Sequence, residues 1–353
     1  MGPMQIGIDS FVSAVTDPGT GEVVSPADRV AHLLEEVTRA DEVGLDSFGI
    51  GEHHRSEYYD SAPAVLLAAA AARTSDIRLN SAVKVLSADD PVRVFQDFAT
   101  LDLVSRGRMD LVVGRGSFTE AFPLFGLSLR DYDSLFEEKL GLLLKIRDEP
   151  AVTWSGTHRP ALDAQTVYPR PLQDPLPIWV GVGGTPESFI RAGVLGLPLM
   201  VAIIGGQPHR FRPLVDAYRE AGRRAGHPAE QLRVGLHCFG FVGDSDQQAA
   251  DDFYPGWAEM FTKMARERGG RPPSRAAYDA TRGPSGAYII GDPETVATKM
   301  LAVSESLGGV SRISLQMTNV RLAHENLLHG IELLGTRVAP IVRAATGRPS
   351  AAG

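Results

Sequence analysis

The sequence predicts an α/β protein, a closed (β/α)₈ barrel of the TIM type with insertions. Short β-type runs alternate with longer helical stretches almost from end to end, and a helical crossover is what joins parallel strands. Eight such units fit within the 353 residues, a length that suits this barrel class. No shift in composition interrupts the alternation, so a single domain over residues 1–353 is expected. A doubly wound open sheet shares the same periodicity and remains the alternative at this level.

The first strand is MQIGID at 4–9. SPADRVAHLLEEVTRADEVG then opens with a serine cap and a proline at the first helical position, and closes on Gly44. Within it Val30, Leu33, Leu34 and Val37 keep one apolar face at helical spacing. LDSFGIG is the second strand, followed by the alanine-rich helix APAVLLAAAAARTS. IRLNSAVKVL (77–86) is the third, and Asp90-Pro91 starts the next helix. RMDLVVGRG (108–116) is the fourth, with DYDSLFEEKLGLLLKIRD as its helix. A proline-rich passage, 149–176, reads as irregular and leads into the fifth strand, LPIWVGVGG. LPLMVAII (197–204) and LRVGLHCFGFV (232–242) are the sixth and seventh, each with a helical stretch behind it. SRISLQM (311–317) is the eighth, closed by the helix AHENLLHGIELLGTRVAP. Residues 266–286, RERGGRPPSRAAYDATRGPSG, form an insertion without regular pattern, the kind of loop that acts as a lid or binding loop.

Composition narrows the function classes. Hydrophobic residues at 43% and charged residues at 22% describe a folded soluble chain. A net charge of −8 argues against nucleic acid and against anionic membrane surfaces, both of which need a basic face. The longest apolar run, 64–72, is far short of the roughly 20 residues that span a bilayer. Cys238 is the sole cysteine, so neither an intramolecular disulfide nor a cysteine-built zinc site can form. The N-terminus shows no basic segment followed by an apolar stretch, and a cytoplasmic location is expected.

In such a barrel, functional groups gather at the C-terminal ends of the strands. That rule selects Glu52-His53-His54 after strand two, Ala82-Val83 at strand three, Arg115-Gly116-Ser117 after strand four and GVGGTPES after strand five. In WVGVGGTPESF a strand runs into two glycines and a helix start, so backbone N–H groups and a helix N-terminus can meet an anion. An ordinary tight turn capped by Thr185 gives the same pattern. Arg115, one strand away, suits bidentate pairing with a phosphate, and equally a rim ion pair. Successive side chains of an extended segment point to opposite sides, so His53 and His54 are poorly placed to grip one ion. No metal site is expected. One histidine facing the barrel mouth as an acid, base or hydrogen-bond donor fits better.

Taken in order, GLDSFGIGEHH, LNSAVKVLSADDPVRVFQDFATLDLVSRGRMDLVVGRGSF, FPLFG, VGVGGTPES, GLPLMVAIIGG and GDPETV resemble the bacterial luciferase-like flavin monooxygenase family, over roughly residues 4–343. The resemblance implies a TIM barrel that binds reduced FMN at its C-terminal mouth. His53 takes the place of the family's active-site histidine beside the flavin. Ala82-Val83 matches a segment that carries a cis non-proline peptide under the ring. Arg115 matches the phosphate-contacting arginine, and Gly183, Gly184, Thr185 and Ser188 fall on the phosphate-binding segment, where the diglycine departs from the family's more acidic, serine-rich form. Ser117 stands where luciferase has a bulkier apolar residue. Residues 266–286 match a mobile lid, whose Arg271, Arg275 and Arg282 are candidates to meet an anionic substrate or the reductase, a solvated charged loop being the equal alternative. Trp154, Trp179 and Trp257 read as packing residues. The activity implied is oxidation of a small organic molecule with molecular oxygen, reduced FMN coming from a separate NAD(P)H:flavin reductase, in a homodimer paired through early barrel helices. A deazaflavin coenzyme performing hydride transfer, a non-catalytic flavin-binding protein and a metal hydrolase are the competing readings.

Overall fold

A computed structural model describes residues 3–347. Eight parallel strands close on themselves: β1 (Gln5–Ser10), β2 (Ser47–Ile50), β3 (Arg78–Ser81), β4 (Met109–Gly114), β5 (Ile178–Val182), β6 (Leu199–Ala202), β7 (Val234–Val242) and β8 (Arg312–Gln316). Each pairs with the next, and β7 pairs with both β6 and β8 while β8 pairs with β1, so no edge is left. The closed barrel settles the choice against an open doubly wound sheet.

The helices begin where their caps predict. Ser25 accepts from the backbone N–H of Asp28 at 3.1 Å and starts α1 (Pro26–Glu42), with Leu33, Leu34 and Val37 buried against the barrel. The alanine-rich α2 (Pro63–Ala71) lies beside α3 (Pro91–Val104), which Asp90 caps by accepting from the Val92 N–H at 2.8 Å. The remaining ring comprises α4 (Tyr132–Asp148), α5 (Pro186–Val194) and α6 (Arg212–Arg224). After β7 come α7 (Asp246–Glu267) and α8 (Arg275–Arg282), then α9 (Pro293–Ser306), and α10 (His324–Leu333) follows β8. Among the described residues no helix is long and apolar enough to cross a membrane.

Three segments differ from their sequence pattern. The passage 149–176 is not wholly irregular: Ala151–Trp154 and Leu162–Thr166 form an antiparallel hairpin, anchored by the buried Val152. The third strand does not run to residue 86; it stops at Ser81, and Lys84–Val85 pairs again with β4 after a break. The insertion 266–286 holds helical segments where a loop was expected. The 22-residue α7 reaches Glu267 despite Pro255 in its interior, and Ser274 caps α8 by accepting from the Ala277 N–H at 3.2 Å. Residues 268–274 and 283–286 lack regular structure. A short strand, Ile289–Gly291, also extends the sheet outside the barrel by pairing with the end of β7.

The barrel's lower end holds buried charge. Arg312 on β8 and Arg78 on β3 both pair with Asp110 on β4, Arg312 at 2.7 Å. Burial alone would raise the Asp110 carboxyl, but the two guanidiniums outweigh it and hold it below its ordinary range. Trp179 lies in the barrel interior between the Arg233 and Arg312 guanidiniums, 4.7 and 4.8 Å from the ring centroid.

Candidate active site

The break after β3 shapes the mouth. The Ala82–Val83 peptide is cis, and the Val83 side chain turns into the barrel mouth. Gly114 on β4 and Gly181 on β5 make room for it: a Cβ on either would stand 2.7 Å from a Val83 methyl. Glu52 fixes the segment that follows. Its carboxylate accepts from the Val85 N–H at 2.8 Å and from Lys84 at 3.0 Å, and lies 3.2 Å from His54 Nε2. Lys84 also pairs with Asp89 at 2.8 Å. Burial would lower the Lys84 ammonium, yet Glu52 and Asp89 together raise it, so Lys84 stays charged. Glu52 and His54, which had no role from sequence, thus join the end of β2 to the bulge.

His53 lines the cavity, as do His54 and His237. Asp60, fully buried, accepts from the His53 backbone N–H at 3.0 Å and pairs with its ring Nδ1 at 2.8 Å. Burial raises the Asp60 carboxyl and the histidine opposes that rise. Accepting at Nδ1, Asp60 orients the ring and leaves Nε2 with no protein partner among the described residues. Phe11 and Tyr58 hold the imidazole from two sides, at 4.6 and 4.4 Å between ring centroids. The histidine pair therefore diverges, one ring to Asp60 and the other to Glu52, and among the described residues no group of three or more His, Cys, Asp or Glu could hold a metal ion. Asp60 was not singled out from sequence, although it sits seven residues after His53.

A cavity of about 510 Å³ opens here, lined by His53, Ala82, Val83, Arg115, Ser117, Gly183, Gly184 and Thr185 among others. Its outer end suits an anion. Arg115 pairs with Asp133, lies 5.1 Å from the Tyr132 ring centroid and donates to Thr185 Oγ1 at 3.3 Å. No heavy atom lies within 4 Å of where a Gly183 Cβ would be, so the backbone there is bare. The N-terminus of α5 follows, with Thr185 at its cap position. Ser188 is the exception among the predicted residues: it is buried in the first turn of α5 and does not line the cavity.

The inner end is polar, and sequence reasoning missed it. Gln316, Asp9, Gly49 and Asn80 are register neighbours across β8, β1, β2 and β3. His237 on β7 joins them, with Nδ1 2.7 Å from Asp9 Oδ2. The signal was one polar residue within each of two otherwise apolar strands, IGID and VGLHCFG. Cys238, next in the chain, is buried away from the cavity, and burial pushes its thiol up to about 12, which makes it inert.

Met260, Phe261, Met264 and Arg268, from α7 and the residue after it, roof the cavity. Arg55 ties this roof to the loop after β2, donating to Glu267 at 2.6 Å, Glu120 at 2.9 Å and Glu57 at 3.0 Å, while Lys263 also reaches Glu57. None of the three lid arginines that were candidates to meet a substrate or the reductase lines the cavity. Arg275 pairs with Asp251 and Asp279, and Arg282 leans toward Asp279, because both sit on the face of α8 that packs on α7. Arg268 occupies that position instead. Trp154, Trp179 and Trp257 do not line the cavity either.

A sequence profile described as luciferase-like monooxygenase matches residues 4–310. The chain is 33% identical over 213 residues to the N-acetyl-S-alkylcysteine monooxygenase of Bacillus subtilis (strain 168), covering 58% of this chain and 61% of that protein. It is 30% identical over 208 residues to an F420-dependent glucose-6-phosphate dehydrogenase of Amycolatopsis mediterranei (strain U-32), covering 57% and 62%. The oxygenating constituent of 3,6-diketocamphane monooxygenase from Pseudomonas putida, solved in complex with FMN, superposes with a TM-score of 0.73 at 21% identity, over 96% of this chain and 98% of that one.

Proposed function

Because the chain belongs to the luciferase-like monooxygenase family, we propose that it is a flavin-dependent monooxygenase that uses reduced FMN and molecular oxygen to oxidise a small organic molecule. The observation that carries this reading is a single cavity in which the Arg115–Thr185 end, the Ala82–Val83 bulge and the His53–Asp60 pair follow one another. The residues fit the cofactor. Arg115, Thr185 and the backbone N–H groups of Gly183 and Gly184 would hold its phosphate. Ala82 and Val83 would support its ring, with the Val83 side chain seated in the space that Gly114 and Gly181 leave. FMN, when bound, supplies the activation of oxygen.

The chain's own residues supply orientation, dryness and one proton site. His53, held by Asp60, accepts or donates a proton at Nε2 at the cavity wall. The Met260, Phe261 and Met264 side chains keep water from the reacting groups. Glu52 holds the bulge in register by fixing the Val85 N–H. Ser188 contributes by packing α5 rather than by touching phosphate. We read the chain as a single cytoplasmic barrel domain that receives reduced FMN from an NAD(P)H:flavin reductase and pairs as a homodimer through α2.

The match to an F420-dependent dehydrogenase favours a second reading, in which a deazaflavin occupies the same cavity and transfers hydride without oxygen. Titration with FMN, reduced FMN and a deazaflavin, followed by absorbance and by oxygen consumption, separates the two. The proposal expects tight binding of reduced FMN and oxygen uptake. Preferential deazaflavin binding with no oxygen uptake contradicts it.

A further inference from the structure

The Asp9–His237 pair takes no part in the function proposed above. It lies on the inner wall, Asp9 on β1 and His237 on β7, and Asp9 Oδ1 and the Ala82 Cβ both come within 3 Å of where a Gly49 Cβ would be. We propose that Asp9–His237 is a second proton-accepting site of this cavity, and that it selects a substrate bearing a weakly acidic hydroxyl on an unsaturated carbon, a phenol or an enol. The proposal rests on the cavity serving cofactor and substrate together, as argued above.

Asp9 Oδ2 accepts from His237 Nδ1 at 2.7 Å, which leaves the Nε2 lone pair for the cavity, with no protein partner among the described residues. His237's register partners on the flanking strands, Ala202 and Ser314, do not ionise, so a proton arriving at Nε2 is balanced by Asp9. The Phe11 ring stacks on the imidazole, 5.6 Å between centroids and 16° from parallel, and on its other side touches His53. One aromatic ring thus separates two histidine–aspartate pairs that face a common space.

The neighbouring groups define what enters. Asp9 Oδ1, Asn80 Oδ1 and Gln316 Oε1 are buried and have no hydrogen-bond partner among the described residues. Two of these side chains converge over Gly49, where a Cβ would stand 2.1 Å from Asp9 Oδ1 and 2.5 Å from the Asn80 amide. Buried polar atoms are nearly always satisfied, so an acceptor-rich group of this kind is completed by a ligand that brings O–H or N–H donors. A hydrocarbon leaves all of it unsatisfied, and a ligand that enters already ionised, a carboxylate or phosphate, brings no proton for His237 Nε2. The surrounding wall, Phe11, Phe239 and Phe261, takes a flat apolar body. In the transfer itself the ligand O–H bond breaks and an N–H bond forms at Nε2, leaving an oxyanion beside an imidazolium paired with the Asp9 carboxylate. Nothing is oxidised or reduced in this step. The oxyanion enriches the attached unsaturated carbons in electrons and prepares them for oxygenation.

The test uses 4-fluorophenol as the probe and its ¹⁹F resonance as the readout of ionisation, with FMN-loaded protein and with protein to which no flavin has been added. At neutral pH the wild-type protein is expected to shift the bound probe saturably toward its phenolate position. His237→Gln and Asp9→Asn, checked for folding by circular dichroism, are expected to bind it about tenfold more weakly or worse, the size of one hydrogen bond to a charged group, and as the neutral phenol. Failure of the probe to bind, or binding in the neutral form to the wild-type protein, overturns the proposal, as does an unchanged phenolate shift in both variants. If FMN does not bind yet the shift persists and is lost in His237→Gln, the cofactor reading fails while this one stands.

Discussion

At the bottom of the barrel Asp110 lies between the buried Arg312 and the half-buried Arg78, which take up both of its carboxylate oxygens, while Arg312 Nη1 is left without a partner among the described residues. At the mouth, two histidines are each held by a carboxylate on one ring nitrogen and left without a protein partner on the other. Amide and carboxylate oxygens beside them are unpaired as well. Both ends lie on the same eight strands, and the difference is one of completion. Internally paired charge locks the barrel's register; charge left half-paired is available for a ligand. Breaking the first therefore costs stability, and breaking the second costs function.

The largest expected effect is at the bottom. Asp110→Asn takes the carboxylate from the buried Arg312 guanidinium and is expected to destabilise the protein by about 3–5 kcal/mol, measured by urea unfolding. The same pair sets an acid limit. Because the Asp110 carboxyl is held below its ordinary value of 3.8, its contribution is present above that pH and is lost as pH falls through its folded value. The wild-type protein should lose stability below that point more steeply than Asp110→Asn does, and equal slopes would count against the assignment.

His53→Ala tests the other half of the comparison. With a flavin reductase present, substrate-dependent oxygen consumption is expected to fall by about a hundredfold or more while the unfolding midpoint stays within a small margin. Unchanged turnover would remove His53 from the mechanism. The roof clamp gives a smaller effect. Burial would raise Glu57, but Lys263 and Arg55 together bring it down to about 2, so its contribution is complete above the ordinary 4.5 and fades as pH falls from there toward 2. Proteolysis near residues 268–274 should quicken over that window in the wild-type protein, and should already be fast at neutral pH in Arg55→Ala. The smallest effect is at the inner mouth. Gln316→Leu removes an unsatisfied buried oxygen, so stability is expected to hold or rise by about 1 kcal/mol. A large loss would mean that the mouth is already completed from within.

The same contrast explains what the sequence made legible. Strand and helix alternation revealed all eight barrel strands, because apolar periodicity and caps such as Ser25 and Asp90 are local signals. The hairpin at 151–166 was hidden, since its strands are four and five residues long and only Val152 anchors the first. The roof read as a loop because glycines and prolines at 269–273 outweigh, to the eye, the Ser274 cap behind them. Cavity residues at strand ends, His53, Val83, Arg115 and Thr185, followed from the rule that barrel function collects there. Ser188 followed from motif position alone, and the first turn of α5 carries it inward. Asp9 and His237 are 228 residues apart, and only closure of the barrel brings them together. Asp60 reaches His53 through the turn between them, a contact that no periodicity encodes.

The central claim is that the mouth holds FMN with its phosphate at Arg115, and the most direct measurement compares FMN with riboflavin. Equilibrium binding of both, in reduced form, to the wild-type protein and to Arg115→Ala isolates the phosphate contact from the ring contacts. The wild-type protein is expected to prefer FMN by about tenfold or more, the size of a charge-assisted hydrogen bond, and the preference should collapse in Arg115→Ala while riboflavin binding is unchanged. Equal affinity for the two flavins in the wild-type protein, or a preference that survives the loss of Arg115, contradicts the account.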